Sequence, residues 1–446
     1  MSTNDKPTVL IVGAGLGGLI FGALLEKQGL PYAIFERASA AKPIGSAMSV
    51  GPVLLPIFQQ LGIYDEFLTI GKYVTHAGAF KETLEPYKPN DYSPIEEYAG
   101  YGQYIVARPK LHELFLKQIP SHKIHFGHRV LNITEEDDKV TVHLSNNDTF
   151  VGDIIVGADG AYSAVRQRMY EQLKAKGLLP TSDQEDLPFS VTCLVGQTKV
   201  LDPEEYPIIK EPTSQFYAVL GDGKPYTWTI FTTAQNTICF MVMHLLSEKT
   251  SKVAMEQRFR NSENSEWGAY PVQTMCDETR DFKIPVEGGK TLGDLYDLTP
   301  KDHISKVMLE EKVFKTWHSG RFALLGDACH KLHPSGGHGA VTAIHDAIAL
   351  ANLLYAMPSK TSGEVTKIFE EYQSERYPAV MDSFKNSQVM SKATERGLLA
   401  KLVKFRPQAG FLKAIEIKGT VVPEVSPSER KARAVFDQQQ QGAASL

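Results

Sequence analysis

Cysteine is scarce in this 446-residue chain: Cys193, Cys239, Cys276 and Cys329 stand far apart and form no C-x-x-C pair. That spacing excludes a disulfide scaffold and points to a reducing compartment, so a cytoplasmic location is expected. No run approaches the ~20 uninterrupted apolar residues of a membrane span, and none is predicted. The polar start MSTNDKPT leads into an apolar run that glycines soon break, which argues against an ordinary signal peptide. No basic patch with interleaved aromatics stands out and the net charge is −5, so no nucleic-acid partner is expected. Internal repeats are absent too. The closing triplet Ala444-Ser445-Leu446 lacks the basic middle residue of the S-K-L address and is read as chance. What remains is a globular composition, 42% hydrophobic and 22% charged, in a chain long enough for two or more cores.

The most informative stretch is VLIVGAGLGGLIFGALLEKQGLPYAIFER, Val9 to Arg37. Val9 to Val12 reads as a buried parallel strand. Gly13, Gly15 and Gly18 follow as G-x-G-x-x-G: the first permits a tight turn, the second lets backbone approach a pyrophosphate, and the third allows the helix to pack on the strand. Leu19 to Leu25 supplies that helix, Gly29 its C-cap, and the strand Tyr32 to Phe35 ends at Glu36, an acid placed to accept hydrogen bonds from a ribose. Helix N-terminal N–H groups with the dipole behind them form an anion site. The unit is an ADP-binding βαβ.

Farther along, YIVARPKLHELF (Tyr104 to Phe115) is an extended piece feeding a helix, with Arg108 and Pro109 near its first turn. A small β-meander is predicted around Ile124 to Phe150. DIIVGADGAYSAVR, Asp153 to Arg166, reads as a second buried strand, then Asp159 and Gly160, then a helix start. Runs such as SVTCLVGQT, YTWTIFTT and TICFMVMHLL predict an antiparallel sheet between about Ser182 and Asp297. From Arg321, RFALLGDACHKLHPSGGHGAVTAIHDAIALANLL gives a third buried strand ending at Gly326 and Asp327, a glycine-rich loop, and an apolar helix over about Ala340 to Leu354. Four histidines, His330, His333, His338 and His345, fall close together there, but no carboxylate or cysteine spacing completes a zinc site, so no metal is assigned.

Taken together, the G-x-G-x-x-G unit, GADGAYSAVR and LLGDACHKLHPSGGHGA resemble the single-component FAD-dependent monooxygenases of the aromatic-hydroxylase superfamily, with fungal members closest. The resemblance covers roughly residues 8 to 380. It implies an α/β fold: a Rossmann-like, glutathione-reductase-like FAD-binding domain over 1–72, 102–181 and 298–380, and an antiparallel substrate domain over 73–101 and 182–297. A C-terminal helical segment over 381–422 and a disordered tail over 423–446 complete the expected division. It also implies that Glu36 holds the adenosine ribose, Arg108 contacts the cofactor, Asp159 and Gly160 serve the pyrophosphate side, Asp327 binds the ribityl and pyrophosphate region, and Pro334, Gly337, Gly339 and Ala340 lie along the flavin. The implied reaction takes electrons from NAD(P)H, which binds transiently since no second G-x-G-x-x-G is present, and passes oxygen from O2 to a small molecule through a flavin hydroperoxide.

Several positions depart from the relatives. Fungal terpenoid epoxidases carry an arginine in a segment similar to SVTCLVG, where this chain has Thr192; their tyrosine is matched by Tyr226, which is therefore the candidate catalytic residue. Val341 and His345 replace an asparagine and a glutamate common in the flavin loop and the following helix. Tyr217, Trp228, Phe231, Phe240, Met241, Met243 and His244 are candidates to line an apolar cavity, and strand alternation sends about half of them elsewhere. Halogenases of this fold carry W-x-W-x-I-P, of which only Trp228 is found. Hydroxylation or epoxidation of an aromatic or terpenoid-like molecule is expected. An oxidase or dehydrogenase of an amine or alcohol, and a non-catalytic carrier, are the alternatives.

Overall fold

The computed structural model describes residues 6–41, 45–136, 138–221, 224–246, 269–334, 337–395 and 416–419. Its first body is a six-stranded sheet in the order His318–Ser319, Phe322–Leu324, Ile154–Gly157, Val9–Val12, Tyr32–Glu36, Ile124–Phe126. All neighbours are parallel except the edge pair that starts the order. Val9–Val12 and Ile154–Gly157 are buried along their whole length, which is why both read as continuous apolar runs rather than alternating ones. The helices Leu16–Gln28 and Gly339–Ala356 cover the sheet and touch each other: a Cβ built on Gly17 would stand 3.5 Å from that of Ala343. Gly339–Ala356 has the length and apolarity of a membrane span, but it is mostly buried within this core. The meander arrives as Val130–Glu136, Lys139–Leu144 and Thr149–Gly152.

A seven-stranded sheet forms the second body, in the order Ser305–Glu310, Phe189–Gln197, Ile238–Leu245, Tyr226–Thr232, Phe216–Leu220, His76–Lys81, Asn90–Asp91. Two features correct the expected division. The sheet is mixed, because His76–Lys81 runs parallel to Phe216–Leu220. Ser305–Glu310 belongs to this sheet, paired antiparallel with Phe189–Gln197, so the chain returns to the nucleotide domain after Glu310 rather than at residue 298. A small sheet, Ala47–Val50, Tyr104–Ala107 and Lys72–Tyr73, lies between the bodies: Val50 and Val106 join the nucleotide core, while Ala47, Ile105 and Ala107 pack on the large sheet. The helix Ser362–Glu395 continues the nucleotide domain well past residue 380. Of the predicted helical segment over 381–422, residues 381–395 continue the helix Ser362–Glu395, residues 416–419 are not helical, and the others lie outside the described residues. The predicted tail, 423–446, lies outside the described residues.

Candidate functional site

Three glycines shape the first turn in three ways. Gly13 has φ +103°, and a Cβ there would meet the Ala158 carbonyl oxygen at 2.5 Å. One on Gly18 would lie 2.0 Å from the Gly13 carbonyl oxygen, so this helix can approach its strand only without a side chain. Gly15 differs: among the described residues nothing stands within 4 Å of its missing Cβ, leaving open space in front of the helix N-terminus. Beside that space the Glu36 carboxylate accepts the Ala14 N–H at 2.9 Å and the Ala38 N–H at 2.8 Å, which fixes it at the end of its strand.

Arg108 opens the helix Arg108–Leu116, and its side chain lies against Gly45, whose φ of +129° favours glycine and whose Cβ would stand 3.0 Å from Arg108 Cδ. One turn later His112 reaches the glycine loop, its Nε2 lying 2.8 Å from the Ala14 carbonyl oxygen. A carbonyl only accepts, so Nε2 carries the hydrogen. Burial pushes the His112 pKa down and nearby Arg108 adds to this, keeping the ring neutral. The sequence reading passed over His112, although its i+4 spacing from Arg108 placed both on one helix face.

Asp159 has two roles at its two oxygens. One accepts the Ala164 N–H at 2.7 Å and caps the helix Ala164–Ala175, alongside Ser163, whose hydroxyl accepts from the Arg166 N–H. The other is buried with no partner among the described residues, and burial holds the carboxyl above its ordinary value. Gly160 follows at φ +83°. Arg166, itself buried, donates to the Ala161 carbonyl at 2.5 Å and to the Ala328 carbonyl at 2.7 Å, with its guanidinium over the Phe314 ring. It thereby ties the second motif to the third.

In that third motif Gly326–Ala328 is a single 3-10 turn with Gly326 at φ +59°. A Cβ on Gly326 would stand 2.9 Å from Ala343 of the following helix. Asp327 projects from the turn, partly exposed, with Lys331 Nζ at 3.3 Å. The turn is anchored from behind by fully buried Asp346, which accepts the Gly326 N–H at 3.1 Å, lies 2.5 Å from His330 Nε2 and accepts from Arg376 Nε at 2.9 Å. Burial alone would raise the Asp346 pKa; His330 and Arg376 outweigh it and hold it at about 2. A lone acid inside the apolar run AIHDAIALANLL was the available signal for Asp346, whereas nothing marked Arg376. Cys329, His330 and Asp346 form a group of potential metal ligands among the described residues. The Arg376 guanidinium already sits on the carboxylate, an arrangement of an ion pair rather than a metal centre.

Pro334 accepts the Gly337 N–H at 2.8 Å in a turn, and among the described residues nothing stands within 4 Å of the missing Cβ of Gly337 or of Gly339. Ala340 lies in the first turn of the helix Gly339–Ala356. His345 donates from Nε2 to the Val53 carbonyl at 3.0 Å and is held neutral by burial. The two helix N-termini, the Gly326–Ala328 turn and the Arg108 helix thus converge.

Above them, the large sheet turns one face toward the nucleotide domain. Phe216, Phe231, Cys239 and Met241 pack there on Ala47, Ile105 and Ala107, and the face continues through Val191, Cys193, Val195 and Met243. The opposite face, with Trp228, Ile230 and Phe240, packs on Met275, Phe282 and Leu295 of the 269–297 segment. Tyr226 belongs to that opposite face. Its ring stacks on His244 at 4.4 Å and its hydroxyl donates to Glu278 at 2.8 Å. Thr192 is on the same face, two strands away, with His244 between them in register. The structure therefore corrects the assignment of Tyr226 as catalytic: strand alternation turns it away from the cofactor-side residues. Of the candidate cavity residues, Phe231, Met241 and Met243 face the nucleotide domain, while Tyr217, Trp228, Phe240 and His244 do not.

A family model described as "FAD binding domain" matches residues 6–202 and 292–387, well over half of the chain. The chain belongs to this family. Among curated relatives, the FAD-dependent monooxygenase paxM of Penicillium paxilli is 28% identical over 422 residues, covering 91% of this chain and 83% of the relative. The FAD-dependent monooxygenase ptmM of Penicillium ochrochloron is 28% identical over 430 residues, covering 92% and 95%. Solved structures share the fold: Klebsiella pneumoniae HpxO complexed with FAD and uric acid has a TM-score of 0.68 at 19% identity, with 96% of each chain covered. CtdE in complex with FAD and a substrate reaches 0.70 at 18%, covering 98% of this chain and all of that one. The protein is an FAD-dependent monooxygenase of the aromatic-hydroxylase family. FAD fits the residues present, since among the described residues the glycine-rich loops leave open space at Gly15, Gly337 and Gly339 and Asp159 keeps a buried oxygen without a partner.

Proposed function

We propose that this monooxygenase uses NAD(P)H and O2 to hydroxylate or epoxidise an aromatic or terpenoid-like small molecule. The carrying observation is the convergence of two helix N-termini and the Asp327 turn beneath an uncharged sheet face. In this reading Gly13, Gly15 and Gly18 admit the pyrophosphate to the N–H groups of the first helix, where the dipole favours negative charge. Glu36 accepts from the adenosine ribose. Arg108 lies against the cofactor, with neutral His112 holding the glycine loop behind it. Asp159 and Gly160 serve the pyrophosphate side and Asp327 the ribityl chain. Pro334, Gly337, Gly339 and Ala340 border the flavin, where N–H groups at the start of Gly339–Ala356 stabilise negative charge.

Bound and reduced, FAD supplies the activation of O2 that the side chains of this protein cannot supply. The protein must hold the substrate carbon in place and keep water out. Val191, Cys193, Val195, Met241 and Met243 offer an apolar surface without a charge, which suits a neutral substrate. One G-x-G-x-x-G unit serves one dinucleotide, so NAD(P)H reduces the flavin as a transient visitor.

The test is an absorption spectrum of the purified protein, followed by NADH and NADPH consumption in air with phenols, indoles and terpenoids. A flavin spectrum with substrate-stimulated consumption and an oxygenated product is expected. Flavin reduced by an amine or alcohol without NAD(P)H would replace the reading by an oxidase. A protein that cannot be reconstituted with FAD would replace it by a carrier.

A further inference from the structure

Far from the cofactor residues, the segment Glu416–Gly419 lies across the nucleotide domain in a groove built by three helices, and side-chain amides supply its main-chain partners. Asn352, on Gly339–Ala356, donates from Nδ2 to the Glu416 carbonyl at 2.8 Å and accepts the Lys418 N–H at Oδ1, also at 2.8 Å. One side chain thus contacts both main-chain groups flanking Ile417, as a neighbouring β-strand would. Gln60, on Leu55–Leu61, accepts the Ile417 N–H at 2.7 Å. Gln28, the last residue of Leu16–Gln28, donates to the Lys418 carbonyl at 3.0 Å and keeps a buried Oε1 with no partner among the described residues. Ile417 itself is fully buried in the nucleotide core. Gly419 has φ +81°, and a Cβ there would press on the Tyr355 ring at 3.0 Å.

Burying amides among apolar side chains costs free energy unless each finds partners. Gln28 and Gln60 are only 4% and 6% exposed, so the main-chain groups of the passing segment are met by side-chain amides that are themselves buried. We infer that this groove is a recognition site for an extended peptide of Ile-x-Gly pattern, and that Glu416–Gly419 occupies it in cis as a clamp on the two helices whose opposite ends face the nucleotide. Main-chain reading by Asn352, Gln60 and Gln28 supplies affinity. The Ile417 pocket and the left-handed Gly419 supply specificity. The recognition site stands on its own contacts; the effect on cofactor retention rests on the proposed FAD site.

The test uses the full-length chain with Ile417→Asp, which expels the segment, and separately Gly419→Val, which loosens it by straining it against Tyr355. A fluorescent peptide of residues 411–422 is titrated against each. Binding at least 10-fold tighter to either folded variant than to wild type is expected, and it should disappear when Asn352→Ala is added. Equal binding to wild type and both variants, or none to a folded variant, would overturn the site. In parallel, FAD release is followed by flavin fluorescence: several-fold faster release from the variants, slowed again by unlabelled peptide, is expected. Release at the wild-type rate would overturn the clamp. Absence of FAD from the wild type would instead sink the cofactor reading and leave the peptide titration to decide the groove.

Discussion

Gly15 and Gly18 are both glycine for reasons that a single assay can separate. At Gly18 a methyl group would overlap the Gly13 carbonyl, so Gly18→Ala should cost several kcal/mol and yield little folded protein. At Gly15 the space is open, so Gly15→Ala should fold with a stability within about 1 kcal/mol of wild type and lose FAD affinity by 10-fold or more. Denaturant melts of the apoprotein beside FAD titrations read both effects; a Gly15→Ala protein that binds FAD normally would remove the pyrophosphate from that space. Tyr226 is a second residue-scale case. Its hydroxyl meets a carboxylate on the helix-covered face, so Tyr226→Phe should leave FAD binding and the coupling of NAD(P)H consumption to product unchanged. A turnover loss beyond about threefold would restore it to the chemistry.

At the scale of elements, buried Asp346 joins three pieces: the Gly326–Ala328 turn, its own helix and, through Arg376, the Ser362–Glu395 helix. Asp346→Asn leaves Arg376 buried without its counter-charge, a loss of about 3 kcal/mol or more. It should also weaken FAD binding by loosening the turn that presents Asp327. Chemical denaturation and equilibrium dialysis check the two consequences, and a stability unchanged within 1 kcal/mol would show that the ion pair is not what holds the turn. Elements of this nucleotide domain were legible because each has a local cause. The run Val9–Val12 is apolar throughout, the glycines have fixed spacing, and Glu36 ends its strand. The large sheet was legible as strands but not as faces. Tyr226, Trp228 and Ile230 share one parity, and nothing in their own stretch says that the 269–297 segment covers that side. Nor does local pattern reveal that His76–Lys81 joins a strand 140 residues later in parallel.

For the whole molecule, acid sensitivity should begin above the carboxylate range. Burial pushes His333 and His345 from their ordinary 6.5 down to about 4, with Arg376 adding to the effect on His345. The unfolded chain takes up these protons near pH 6.5 and the folded one only near pH 4. Stability is therefore full above pH 6.5 and falls as pH drops through that window. Asp346, held at about 2, contributes above its ordinary 3.8 and fails only at lower pH still. Melting temperatures between pH 7.5 and 4.5 should drop, and His345→Gln, which keeps a donor for the Val53 carbonyl without the titration, should drop less steeply. Parallel slopes would exclude His345 as a source of the loss.

The order of strands also sets a timetable for synthesis. Val9–Val12 sits beside Ile154–Gly157, whose other neighbour is Phe322–Leu324, while His76–Lys81 waits for Phe216–Leu220. A ribosome must therefore release about three-quarters of the chain before the first sheet can close. Until then the apolar strand Ile154–Gly157 stands with an open edge, the condition that draws chaperones and promotes aggregation. Shortened N-terminal fragments of this protein should accordingly be found with chaperones or in the pellet, however much of the glycine motif they contain.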